Sequence, residues 1–169
     1  MAGNGGGYAR SGLGLGGGST APQGGYAASA RGSVPLSVGA ADYAEFERLL
    51  GEIQSAYGRE DLGTLRRAAT PEMASYFEEE LAANAAKGVV NKVSGAKLLQ
   101  GDLSEAWREA NADYATVAMR YSLLDMMVER NSGRILSGDP ARPDQVTEVW
   151  TFRRPRGSGS WQLSAIQQA

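Results

Sequence analysis

The chain has 169 residues, room for one domain or for one domain and a tail. It contains neither Cys nor His, which excludes disulfides, thiolate nucleophiles, Cys-ligated metals and every His-based triad, so no cofactor or metal is expected. A formal net charge of -2 with 42% hydrophobic residues excludes a general nucleic-acid coater and a disordered acidic chain, and no apolar run approaches the roughly 20 residues that cross a bilayer.

Thirteen of the 23 glycines fall in residues 1–40, and no acid precedes Asp42. Such a composition buries too little apolar surface to offset its ordering entropy, so residues 1–40 read as a Gly-rich disordered linker. A linker joins two things, and the chain is therefore expected to be part of a longer product. Its GLGLGGG run has neither a strand before it nor a helix after it, which excludes a phosphate-binding loop.

Residues 41–169 carry the periodic signal. Asp42 reads as a helix N-cap. Tyr43, Phe46, Leu49, Leu50, Ile53, Ala56 and Tyr57 follow on one helical face, closed by Gly58. A short second helix carries Leu62, Leu65 and Ala69. Thr70-Pro71-Glu72 combines a capping hydroxyl, a proline at the first helical position and a first-turn acid. Met73, Tyr76, Phe77, Leu81 and Ala85 continue that third helix to Gly88.

After Gly88 the period falls from helical to two. Residues 89–100 read as a strand, and Glu105, Trp107 and Glu109 as a short polar edge strand, the alternative being that the two carboxylates on its one face do acid–base work. Residues 113–130 form a long strand with Ala115, Val117, Met119, Tyr121 and Leu123 on one face. Asn131-Ser132-Gly133 is a hairpin turn, and residues 137–144 read as a loop. Residues 145–153 place Val146, Glu148, Trp150 and Phe152 together, and residues 161–168 form the last strand. Three helices followed by antiparallel strands make an α+β pattern. A sheet packed on helices over one face curves and leaves room for a cavity.

The phrases EAWRE, DYATVAMRYSLLD, TEVWTFRR and WQLSAIQ, with TPEMASYF in the third helix, appear in an order that resembles the Tim44-like family. That family takes its name from the inner-membrane subunit of the mitochondrial import motor, and it has bacterial relatives. The resemblance covers nearly all of residues 42–169. It implies a nuclear-transport-factor-two-like cone, with helices packed on a curved antiparallel sheet around an apolar pocket. It also implies a non-enzymatic, membrane-associated scaffold role linked to protein translocation or envelope protein handling. The partner would be a protein at the inner membrane, of the translocation or chaperone machinery, or a lipid; nucleic acid is not expected. Neither the family's chaperone-recruiting charged segment nor its membrane-binding amphipathic helices are found here.

Within that frame Phe46, Met73, Phe77, Tyr121, Trp150 and Trp161 line the pocket, the competing reading being plain core packing. Arg153, Arg154 and Arg156, in a basic turn, would meet an anionic surface of lipid or RNA; the alternative is a solvated turn. Glu78, Glu79 and Glu80 form a solvated helix face or a partner contact. Asp125 falls on the inward side of its strand. With Tyr121 or Tyr114 it could form the acid–base pair of a small enzyme, or it could pair with Arg120 or Arg130. Fold analogy alone carries no catalytic role.

Overall fold

The computed structural model describes residues 33–156 and 159–169. Most of the expected linker, residues 1–32, lies outside these described residues. Its last part does not read as a linker here. Ser33–Pro35 forms strand β1, and Leu36 and Val38 pack against the core.

Three helices follow. Helix α1 spans Ala40–Gly58, α2 spans Leu62–Ala68 and α3 spans Pro71–Ala86. The cap of α1 is Gly39, not Asp42. Asp42 sits one turn inside, where its carboxylate accepts from the Gly39 amide at 2.9 Å. Asp61 caps α2 through the Thr64 amide, and Thr70 caps α3 ahead of Pro71. On α3, Met73, Phe77 and Leu81 are buried as expected, joined by Asn84, while Tyr76 is exposed. The difference is a matter of helical angle, since Tyr76 lies at the edge of the apolar stripe.

The sheet contains β1, β2 (Val89–Glu109), β3 (Ala112–Glu129), β4 (Ile135–Ser137), β5 (Asp144–Pro155) and β6 (Gln162–Gln168). Its order is β1-β2-β3-β5-β6, with β4 paired to the far end of β3, and every pairing is antiparallel. The two strands expected at 89–100 and around EAWRE are one strand of 21 residues. Three register irregularities interrupt β2, and at the first of them Gly95 adopts φ +64°. Extra residues at such bulges bend a strand and increase its twist, so one long strand wraps the helices. That is the physical origin of the curvature.

The inner faces of β3 and β5 carry Ala115, Val117, Met119, Tyr121, Leu123, Trp150 and Phe152. These pack against Phe46, Leu49, Leu50 and Ile53 of α1 and Phe77 of α3 in one buried cluster. Phe46 stacks on Phe152 at 4.4 Å between ring centroids and meets Trp161 edge-on. The result is an open, curved antiparallel sheet with three helices on one side.

Candidate functional site: a groove between the first helix and the long strand

One side of α1 faces β2. At about 100° per residue, Ala44, Glu47, Gly51 and Gly58 fall on that side. At Gly58 the two backbones touch, and a Cβ placed there would stand 2.2 Å from the Val93 carbonyl oxygen. At Gly51 a Cβ would meet nothing within 4 Å. The helix thus converges on β2 at its C-terminal end and stands off it toward its N-terminal end.

The space left open is a groove of about 460 Å³, within the usual range for ligand sites. Tyr43, Ala44, Phe46 and Glu47 form its helical wall. Leu98 and Gly101 of β2, with Val117 and Met119 of β3, form its floor. Leu103 is paired with Val117 and therefore shares the floor's face, and it remains exposed. Apolar surface dominates this lining, and Glu47 is its one charged group.

A buried polar cluster ties the N-terminal end of α1 to the sheet. Asp113 is fully buried and receives Arg108 Nε at 2.6 Å and Arg154 Nε at 3.0 Å. Arg154 also donates to Asp42 at 3.1 Å and lies 4.4 Å from the centre of the Trp161 ring. The Trp161 indole donates to Asp42, and its amide to Glu45. The Arg108 hydrogen bond holds the Asp113 carboxyl below its ordinary range; burial opposes this, and Arg154 reinforces it. Burial pushes Asp42 upward, but the Gly39 amide, the Trp161 indole and Arg154 together outweigh it and hold that carboxyl low.

A second cluster lies deeper. The buried Glu148 carboxylate accepts from the Tyr121 hydroxyl, from Trp150 Nε1 at 3.0 Å and from Gln168 Nε2 at 3.1 Å. Gln54 of α1 donates in turn to the Tyr121 oxygen. These contacts let a carboxylate and a phenol sit inside an apolar core.

Of the six expected pocket residues, only Phe46 lines the groove. Met73, Phe77, Tyr121, Trp150 and Trp161 are at most 2% exposed and fill the core. The basic turn divides. Arg154 is committed to Asp113 and Asp42, so it is a structural residue and not a surface contact. Arg153 and Arg156 have no ion pair among the described residues. Glu78 pairs with Arg66, Glu80 accepts from Tyr57, and Glu109 accepts from Trp107.

Asp125 is buried, as expected, and its carboxylate accepts from Asn91 Nδ2 at 2.7 Å. Neither expected arginine partners it, because Arg130 is held by Glu60 and Arg120 by Gln145 and Gln100. Tyr121 lies four residues back along β3, about 13 Å away at strand rise, and its hydroxyl is engaged by Glu148. Tyr114 is on the opposite face, stacked on Trp107. The structure does not assemble an Asp125–Tyr pair.

No group of three or more potential metal-ligating side chains occurs among the described residues. No helix among them is long and apolar enough to cross a membrane.

A curved antiparallel sheet wrapped on three helices is the nuclear-transport-factor-two-like class of α+β fold. A profile of the Tim44-like domain matches residues 34–168, and the chain belongs to that family, one of membrane-associated scaffold domains. The fold is similar to that of the intermembrane space region of the chloroplast protein ARC6. That structure is 13% identical, with a TM-score of 0.52, over 79% of this chain and 100% of that one. A periplasmic fragment of TraM is also 13% identical, with a TM-score of 0.46, over 75% of this chain and 95% of that one. No curated protein sequence matches the chain.

Proposed function

We propose that the domain is a non-enzymatic binding or scaffold module. It is held peripherally at an inner membrane, and it uses the α1–β2 groove to hold an apolar segment of a polypeptide or lipid. Translocated or envelope proteins, and the machinery that handles them, are the partners this reading favours. The observation that carries it is the groove itself, an apolar cleft of about 460 Å³ left between helix α1 and the sheet. Its lining comes from α1, β2 and β3, with the small residues Ala44 and Gly101 among it. Arg153 and Arg156 are the residues of the basic turn left to meet an anionic surface.

The test is a photoreactive side chain in place of Tyr43, activated in membranes of the source organism. Adducts with envelope polypeptide or lipid are expected, and Ala44→Trp, which fills the groove, should suppress them. Adducts of equal yield in Ala44→Trp, or none in either protein, would remove the groove from the function.

A further inference from the structure

Strand β2 is paired with β3 along its whole length, but on its other edge β1 covers only Trp107–Glu109. Among the described residues no strand pairs with the remainder of that edge, and the next amide contact is Leu36 to the Ala106 carbonyl. An open edge presents a row of amide donors and carbonyl acceptors. Bulges normally blunt such an edge. Here they flank one regular stretch, Gln100 to Leu103, which keeps continuous register with Arg120 to Val117 of β3. Gly101, in the middle of that stretch, is part of the groove floor. The regular part of the open edge and the groove are therefore the same place.

The charge of the groove narrows the occupant further. Glu45 and Glu52 both pair with Arg48, whereas Glu47 has no hydrogen bond or ion pair among the described residues. Glu47 is exposed on the groove wall. An anionic lipid headgroup would be repelled there, and an acyl chain would leave the edge amides unsatisfied. An extended polypeptide satisfies both, with backbone for the edge, apolar side chains for the floor and a cation for Glu47. Strand β1 shows that this edge accepts an antiparallel strand.

Resting on the groove reading above, we propose that the site takes an extended apolar polypeptide segment bearing a lysine or arginine. The segment adds to β2 along Gln100–Leu103 as a further strand and sets its cation against Glu47. Backbone hydrogen bonds supply the affinity, and the floor side chains and Glu47 supply the selection.

The test uses the full chain and a fluorescent peptide of alternating valine and threonine with one central lysine. Binding is read by anisotropy, beside a fluorescent fatty acid as the lipid probe. Replacing the peptide's lysine by glutamate should weaken binding about three- to fivefold, the scale of an exposed ion pair. Glu47→Lys should reverse that preference, and its unchanged melting curve would show that the fold is intact. Methylating alternate peptide amides should abolish binding. Binding indifferent to both charge and N-methylation would overturn strand addition while leaving the groove in use. Binding of the fatty acid alone, lost in Gly101→Leu, would do the same. Failure of both probes to bind would overturn this proposal and the groove reading together.

Discussion

The two ends of helix α1 meet the sheet in opposite ways. At the C-terminal end a glycine lets the helix backbone rest on the backbone of β2, with no room for a Cβ. At the N-terminal end the helix packs Phe46 on β5 but stands away from β2, and a polar cluster of Asp42, Arg154, Asp113 and Trp161 holds it. Apolar packing of α1 side chains alone would draw the helix onto the sheet along its length. Fixing one end by contact and the other by directed hydrogen bonds sets a wedge, and the groove is the open part of that wedge. A cavity can thus be stable in a well-packed protein when its walls are fixed elsewhere.

The largest expected effect comes from the core beneath both ends. Trp150→Ala removes a fully buried indole that also donates to Glu148. It should cost about 3–5 kcal/mol by chemical denaturation. Stability near wild type would mean that α1 does not rest on this layer. Next comes the latch at the N-terminal end. Asp113→Asn leaves Arg154 and Arg108 without their shared carboxylate, and a loss of about 3 kcal/mol is expected. The pH dependence has a fixed sign. Asp42 and Asp113 are both held below their ordinary range in the folded state. Their stabilisation is complete above the unfolded carboxyl range and is lost as pH falls through and below about 4. Melting temperatures should drop over that window in the wild type and more shallowly in Asp113→Asn. Parallel curves for the two proteins would contradict the latch.

Much of this architecture is readable in the sequence, for a physical reason. The helices at 40–58 and 71–86 and the inward faces of β3 and β5 follow from periods that burial imposes on any chain. Strands β1 and β4 are three residues each, too short for a period to register. Strand β4 also overlaps the start of the Gly/Pro/Asp stretch at 137–144. The fusion of two expected strands into β2 depends on bulges, which pattern reading does not see. The site shows a sharper limit. Periodicity tells which side chains point inward but not whether they meet atoms or space. Large aromatics such as Trp150 and Trp161 look like pocket walls, yet large side chains are what fill space. The groove forms instead where side chains are small, at Ala44 and Gly101. A small residue on the helix and a glycine within a long strand are the signal the sequence offers for it. The role of Arg154 is hidden for a related reason, since a run of arginines in a turn gives no sign that one of them reaches inward to two acids.

The smallest effects sharpen the comparison most, because they use one substitution at two places on one helix face. Gly58 and Gly51 are seven residues apart, about two turns. Gly58→Ala drives a methyl into the Val93 carbonyl, and neither backbone can move without separating α1 from β2. A loss of about 2 kcal/mol is expected, after the small gain of replacing glycine in a helix. Gly51→Ala places the same methyl in open space. There only the helix preference acts, and the protein should gain about 0.5–1 kcal/mol. Opposite signs, read from urea midpoints with unchanged slopes, would establish that the helix is wedged. Two losses of equal size would mean that α1 lies flat on the sheet and that no groove exists in solution. Two gains would mean that the Gly58 end is as loose as the other, and the geometry that shapes the groove would have to come from the Asp42 latch alone.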